Sequence, residues 1–485
     1  MARQRLPDGD FPAEPEHVAF PVLRDGKEDV IAVGSGPQAG VEQAACYEVP
    51  PRLFRLCLRH PPAPLFTFHA TISIFGFSHY DMCMEEYIQR IREGSLKLHA
   101  LEQEMSPDEA IAVRRAYIER ETGTDLSRVG AYSIDTERVV KRNCENMIGA
   151  VQVPVGVAGP LRVEGEYALG EFYLPLATTE GALIASVNRG CRAITRAGGA
   201  GVRIKRDGMT RAPVFACESV PHATDAARWV DAHFDELAHA AQKTTSHGRL
   251  TGITTYTAGT SLFVRFEFFT ADAMGMNMVT IGSEKASELI EEATGARRVA
   301  LSGNMCVDKK PSAMNVVMGR GKTVSAGVFL SDEMVKETFK TDAATLAEVN
   351  TRKNLVGSAR AVSLGFNAHA ANVIAAMFLA CGQDPAHVVE GSNAMTTVDV
   401  VPGGVYVAVT LPSLPVGTVG GGTGIATQQE CLKLLGCAGG AEHPGDNARM
   451  FAEIIAAGVL AGELSLLGAL GAGHLARAHK QLGRG

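Results

Sequence analysis

Apolar residues change their spacing several times along the chain, and each change marks an element. Between residues 78 and 118 they recur every three or four positions, so Met84, Tyr87, Ile88 and Ile91 share one helical face. Ser106-Pro107-Asp108-Glu109 reads as a capped helix start, with Pro at the first helical position and an acidic first turn. From 149 to 176 short apolar runs broken by Pro and Gly predict strands and turns. Thr178-Thr179-Glu180-Gly181 then opens a helix with Leu183, Ile184 and Val187 on its inner face, and Gly198-Gly199 ends it. Residues 211–300 combine a strand over Ser261–Phe269 with helical patterns at Asp225–Gln242 and Ser283–Ala293, the makings of a small α/β unit. A helix from Asn367 to Cys381 is apolar on most sides and belongs in the interior. A last, long helix rich in Ala, Gly and Leu runs from Asn447 to about Gln481. Residues 1–68 mix Pro, charge and short apolar pieces without a sustained period. We read them as an N-terminal extension of unknown structure.

Composition narrows the class. The 485 residues are 46% apolar and 20% charged, which excludes a mostly disordered chain. At roughly 100–200 residues per domain, two to four domains are expected. With 46 Lys+Arg against 53 Asp+Glu the net charge is −7, a poor balance for a nucleic-acid binder. The most apolar stretch, Ile454 to Leu475, contains Glu463 and five glycines, so a buried helix is expected there and no membrane span. The first fifteen residues lack the apolar core of a secretory signal. Ten cysteines with no C-x-x-C pair and no zinc-like spacing predict free thiols in the cytoplasm and no metal.

Five local signals could carry chemistry. Arg189, Arg192 and Arg196 form a positive stripe that suits an anionic ligand, or else a solvated helix face. Asp308-Lys309-Lys310-Pro311 places two lysines on a loop, as oxyanion stabiliser or as a charged surface turn. Asp272-Ala-Met-Gly-Met-Asn-Met278 offers a glycine among flexible apolar residues, for the approach of a dinucleotide or as core. Val419-Gly420-Gly421-Gly422-Thr423-Gly424 could cradle a phosphate with its amides or be a plain loop. His474 and His479 sit near the end of the chain at a spacing that does not suggest a metal. Together these are the parts of a proton-coupled reduction or acyl transfer on a phosphate-bearing substrate.

The combination resembles the 3-hydroxy-3-methylglutaryl-CoA (HMG-CoA) reductase family. The resemblance rests on Pro154–Leu161, Thr178–Ser186 followed by Asn188–Arg192, Asp272–Met278, Asp308–Pro311, and Gly473-His474-Leu475 closing on His479, in the family's order and spacing. It spans about residue 78 to the C-terminus. The Asp308-Lys309-Lys310 loop and the late histidine resemble the eukaryotic-type class (class I), here in soluble form.

The resemblance implies a reaction: two hydride transfers from NADPH convert the thioester of HMG-CoA into mevalonate and CoA. It makes Lys309 the stabiliser of the oxyanion, His479 the proton donor to the CoA thiolate, and Glu180 the donor in the second reduction. The last role asks for burial and a neighbouring carboxylate. Asp384 bridges the lysine and the glutamate. Arg211, Ser302, Asp308, Lys310, Lys353, His369 and Asn372 match the hydroxymethylglutaryl pocket, and Ser186, Asn188 and Arg189 match the CoA side. Asp272, Met274, Gly275, Met276, Asn277, Gln383 and Val419 to Gly422 (Gly420 and Gly421 between them) match the nicotinamide site. Where NADP-using members carry Ser-Arg at the 2′-phosphate, this chain reads Ser246-His247, which leaves NADH as the alternative cofactor.

The implied fold is α+β: a helical N-terminal domain (69–144), a large HMG-CoA-binding domain around a long central helix (145–211 and 315–485), and a small α/β NADP(H)-binding domain inserted in it (212–301). A connecting catalytic loop (302–314) joins the last two. The Asn367–Cys381 helix fits the central position. Cys144–Gly149 resembles the family's dimer-contact motif, so a homodimer or dimer of dimers is expected, with Lys309 and Glu180 from different chains. Two other functions fit the same residues: mevalonate oxidation with NAD, and an inactive CoA-ligand-binding homologue.

Overall fold

The structure, a computed structural model, describes residues 84–473. The N-terminal extension, His474 and His479 lie outside the described residues. The first described helix covers 84–92. The next, Pro107–Thr122, starts on the expected signal: the Ser106 hydroxyl accepts the Glu109 amide while the Glu109 carboxylate accepts the Ser106 amide. Ile88, Leu101, Ala110 and Val113 close a small core between these helices.

Ten strands follow, almost all antiparallel. β1 (Val155–Glu164) and β2 (Leu169–Ala177) form a hairpin. β3 (Ala200–Arg211) lies between β8 (Gly321–Ser331) and β6 (Ser261–Phe269) in the strand order. Its first part pairs with β8 from Gly201 to Gly208, and its last residues, Met209 to Arg211, pair with β6. One strand thus passes from a larger sheet, completed by β9 (Met395–Val401) and β10 (Gly404–Leu414), into a smaller one. The smaller sheet contains β4 (Val214–Ala216), β5 (Arg249–Ala258), β6 and β7 (Arg297–Ala300). It has its own core, drawn from residues 209–296 and centred on Phe215, Leu237, Phe266, Phe268 and Val279.

The larger sheet packs on the 26-residue helix Asp446–Gly471, which is buried along nearly its whole length. That helix is apolar and long enough to cross a membrane, but 83% of its most apolar window is inside the protein. It crosses the Leu183–Arg196 helix and packs beside Ala370–Ala380. The central position therefore belongs to the last helix, and the Asn367–Cys381 pattern marks its shorter neighbour. Two buried glutamates on the long helix accept hydrogen bonds from segments distant in sequence. Glu453 accepts the amides of Glu166, Tyr167 and Ala168 in the β1–β2 turn. Glu463 accepts those of Ala368 and His369 and the Thr396 hydroxyl.

Several boundaries differ from the sequence expectation for identifiable reasons. Ala182 takes a left-handed conformation (φ +71°), so the helix starts at Leu183 and leaves Glu180 in the preceding turn. The Asp225–Gln242 pattern is two helices, Val220–Ala232 and Phe234–Gln242, broken at His233. The Ser283–Ala293 helix begins earlier, at Met276, because Gly275 (φ +89°) caps it. The last helix covers Asp446–Gly471, and residues 474–481 of the expected span lie outside the described residues.

Candidate active site

After β7 the chain crosses back towards β8 through a loop and the short helix Ala313–Met318. Three non-glycine residues in this loop have positive φ: Asn304 (63°), Val307 (45°) and Lys309 (59°). Each such turn costs about 1–2 kcal/mol and persists only where neighbours hold it. Here the Asn315 side-chain amide donates to the Val307 carbonyl at 2.9 Å, and the Lys309 amide donates to Glu390 Oε1 at 2.7 Å. The result points the Lys309 side chain outward, and its Nζ lies 2.9 Å from Asp384 Oδ2. Asp384 is fixed in turn by accepting the Ala386 amide at 3.0 Å.

The pair shapes its own titration. The hydrogen bond to Asp384 raises the Lys309 pKa above its ordinary value, against partial burial. Burial pushes Asp384 up, but Lys309, the Ala386 amide and His387 outweigh it and hold the carboxyl below the usual range. Lys309 is therefore a firmly protonated cation whose side chain is still 45% exposed.

Beneath this pair lies a buried polar layer. Arg320, fully buried, reaches Glu390 Oε1 at 2.9 Å and Asp308 Oδ1 at 3.0 Å. His387 Nε2 is 3.2 Å from Asp308 Oδ1, and Arg211 approaches Asp308 at 3.7 Å. Burial pushes Asp308 up, yet His387, Arg320 and Lys309 overcome it and bring its pKa down to about 2. Arg320 Nη2 also donates to Met276 Sδ at 2.8 Å, which ties the Asp272–Met278 motif to the lysine loop.

That motif and the glycine run meet in space. The Asp272 carbonyl accepts the Thr418 amide at 2.7 Å, and Ala273 bridges Val419 in parallel. Gly417 has no room for a side chain, since a Cβ would stand 2.3 Å from the Met274 amide nitrogen. Gln383 accepts the Gly417 amide at 3.0 Å and so joins the Asp384 segment to the place where these two segments meet. The Asp272 carboxylate is occupied by the amides of Ala441, Gly445 and Ala448, all at 3.0 Å, and it anchors the long helix. Asn277 is exposed on the first turn of the Met276–Thr294 helix.

The other expected residues fall into separate groups. Ser186 Oγ lies 2.9 Å from Ser465 Oγ, and Arg189 donates to the Ser465 hydroxyl and carbonyl. Asn188 accepts the Gly159 amide at 3.0 Å. The arginine stripe therefore divides: Arg189 is held by the long helix, Arg192 is exposed, and Arg196 pairs with Glu337. His369 Nε2 is 2.7 Å from the Gly462 carbonyl, with Asn372 at 3.5 Å from its other ring nitrogen. Lys353 lies on a π-helical segment, Asn350–Gly357, and donates to Asn354. Ser302 Oγ is 3.6 Å from Cys306 Sγ, and Lys310 donates to the Asp308 carbonyl. Ser246 and His247 are exposed in the turn before β5. Glu180 is exposed, and among the described residues its carboxylate has no ion-pair partner, so this chain alone does not supply the burial expected of it from the sequence.

Sequence reasoning missed Arg320, His387 and Glu390. The nearest signals were a charged residue opening the apolar strand β8, and His387 and Glu390 following Asp384 at helical spacing.

Comparison with known proteins shows the family. Residues 110–484 match the family described as hydroxymethylglutaryl-coenzyme A reductase. The chain is 53% identical over 408 residues to the 3-hydroxy-3-methylglutaryl-coenzyme A reductase of Pyrococcus abyssi, covering 83% of this chain and 100% of that one. It is 54% identical over 396 residues to the enzyme of that name from Methanothermobacter thermautotrophicus, covering 81% and 98%. With the Zea mays enzyme of the same name it shares 44% over 408 residues, covering 82% and 70%. The fold is similar to that of the class II 3-hydroxy-3-methylglutaryl-CoA reductase from Streptococcus pneumoniae bound to NADPH, with a TM-score of 0.56 at 19% identity over 80% of this chain and 96% of that one.

Proposed function

Because the chain belongs to the hydroxymethylglutaryl-coenzyme A reductase family, we propose that it reduces HMG-CoA to mevalonate and CoA with NADPH, and that Lys309 and Asp384 form its catalytic pair. The observation that carries this reading is the Lys309 ammonium, held at 2.9 Å from Asp384 on a loop bonded to the nicotinamide-site motif through Arg320.

The glycines where the Asp272–Met278 motif meets the glycine run fit a phosphate-bearing dinucleotide. Gly420 (φ +79°) and Gly421 (φ +54°) face open space where a side chain would stand, and Gly275 opens a 19-residue helix whose first amides are free of a side-chain cap. A bound nicotinamide supplies hydride to the substrate carbonyl. In the first reduction Lys309 stabilises the negative charge that develops on the thioester oxygen. Collapse of the hemithioacetal releases CoA thiolate, which takes a proton from His479. In the second reduction Lys309 again holds the carbonyl oxygen of the aldehyde, and Glu180 delivers the proton that makes the alcohol. Asp384 keeps the ammonium charged and in place throughout.

Glu180 is exposed in this chain, which supports a site completed by a second copy that buries it beside Lys309 and Asp384. The helical N-terminal region with Cys144–Gly149 is the proposed contact, and residues 212–301 the proposed cofactor domain. Seven cysteines among the described residues are free thiols, in keeping with a cytoplasmic enzyme. A second reading, NADH use with possible turnover in the oxidative direction, has one observation in its favour: the exposed turn carries His247 where an arginine would grip a 2′-phosphate.

The test is the initial rate of absorbance loss at ~340 nm, where a reduced nicotinamide absorbs, with HMG-CoA and either NADPH or NADH. Oxidation of NADPH that disappears in Lys309→Ala is expected. Clear preference for NADH would move the assignment to the second reading, and no turnover with either cofactor would overturn the proposal.

A further inference from the structure

Glu390 lies on the short helix Val388–Gly391, a turn beyond Asp384, and none of its side chain reaches solvent. Its Oε1 accepts two hydrogen bonds, from the Lys309 amide at 2.7 Å and from Arg320 Nη1 at 2.9 Å. Arg320 holds Asp308 with its other nitrogen at 3.0 Å. Two consecutive loop residues are thus fastened by one buried ion pair, Asp308 by its side chain and Lys309 by its backbone.

We propose that Glu390 is a positioning residue for Lys309, holding its amide so that the left-handed turn at Lys309 aims the ammonium at Asp384. The inference rests on the catalytic role proposed for Lys309. A lysine has four flexible carbons, and this side chain is nearly half exposed, so packing alone does not fix its head group. The direction of its Cα–Cβ bond is set by φ, and at +59° that backbone state must be held from outside. Glu390 is the only side chain among the described residues that bonds the Lys309 amide.

Burying a carboxylate is unfavourable, and burial does raise the Glu390 pKa, with Arg320 and His387 opposing. A neutral, well-packed side chain would suit stability as well, which argues that the acceptor is kept for its position. The same place brings Asp308, His387 and Glu390 within 4.8 Å of one another, a donor set that could suit a divalent cation. Arg320 already stands between the two carboxylates, so the guanidinium is the cation there.

Two variants of the full chain separate position from charge. Glu390→Gln keeps an oxygen at the same reach and removes the charge. Glu390→Asp keeps the charge and withdraws the oxygen by about one C–C bond length, ~1.5 Å. If the oxygen's position matters, Glu390→Asp lowers kcat about 10²-fold and Glu390→Gln by less than about tenfold, since misplacement near 1 Å has that cost. The alkaline limb of the kcat profile should also move to lower pH in Glu390→Asp alone, as Lys309, faced by Asp384, Asp308 and Arg320, drifts from Asp384. Thermal melts establish that both variants fold. Glu390→Asp equal to or better than Glu390→Gln, with an unmoved alkaline limb, would overturn the inference. Full activity in Lys309→Ala would instead remove the reading beneath it.

Discussion

The Lys309 ammonium and the Asp384 carboxylate stand 2.9 Å apart on two separate loops; the Lys309 amide donates to the Glu390 carboxylate, and the Asp384 carboxylate accepts the Ala386 amide. Removing the cation should cost about 10²–10³ in kcat, the range for loss of one oxyanion donor. Asp384→Asn should leave Lys309 charged near neutrality but remove what raises its pKa, so the alkaline limb of kcat falls to lower pH. The raised lysine contributes stability below its unfolded pKa and loses it as pH rises through the folded value. The depressed aspartate contributes above its unfolded pKa and loses it as pH falls through the folded value. Wild type and Asp384→Asn should therefore melt alike at both extremes, and the gap between them should stay below about 1 kcal/mol for so exposed a pair.

His479 is needed only where a thiolate leaves. His479→Gln should slow turnover of HMG-CoA about 10²-fold, yet largely keep reduction of free mevaldehyde, which has no thiolate to protonate. Equal loss on both substrates would remove the assignment. Steady-state rates on the two substrates decide it.

Cofactor choice should respond to one exposed side chain. His247→Arg should raise the NADPH-over-NADH ratio of kcat/KM about tenfold, or about 1.4 kcal/mol, because a guanidinium pairs with a 2′-phosphate and a neutral imidazole does so weakly. An unchanged ratio would place the 2′-phosphate elsewhere.

Gly190 is where the Leu183–Arg196 helix meets the long helix, and a Cβ there would stand 2.0 Å from the Ala461 carbonyl oxygen. Backbone cannot swing away as a side chain can. Gly190→Ala should therefore destabilise by about 1–3 kcal/mol in denaturant unfolding. It should also lower activity by displacing Ser186 and Arg189.

Glu463 accepts three hydrogen bonds while fully buried. Glu463→Ala should cost about 3–5 kcal/mol, because those donors lose their partner without reaching water. Glu463→Gln should recover part of that loss. Both are measured by equilibrium unfolding, and an Ala variant as stable as wild type would contradict the role.

Local elements were legible wherever one segment decided them. The capping box at Ser106 and Glu109 and the strand Ser261–Phe269 need only neighbouring residues, and they appear where their patterns stood. Where neighbours in space decide, the sequence pattern was short or silent. Met276–Thr294 starts at a glycine turn inside a motif that reads equally as core, and the positive φ of Ala182 cut a helix that local signals began at Glu180.

The same division holds for the site. Lys309, Asp384 and the glycine segments were singled out through the family resemblance that motif order carries, since each segment read alone fits a plain loop as well. Arg320, His387 and Glu390 carry no motif of their own, and they become visible only when β8 and the Asp384 segment fold against the lysine loop. Asp272 shows the converse: its place in a motif pointed to a ligand, while the fold commits its carboxylate to the start of the long helix. Sequence by itself determined which groups are available and which short segments are helix or strand, since those depend on side-chain chemistry and local spacing. Only the tertiary structure decided which groups share a buried, low-dielectric space, and there a charge is held by partners far away in the chain.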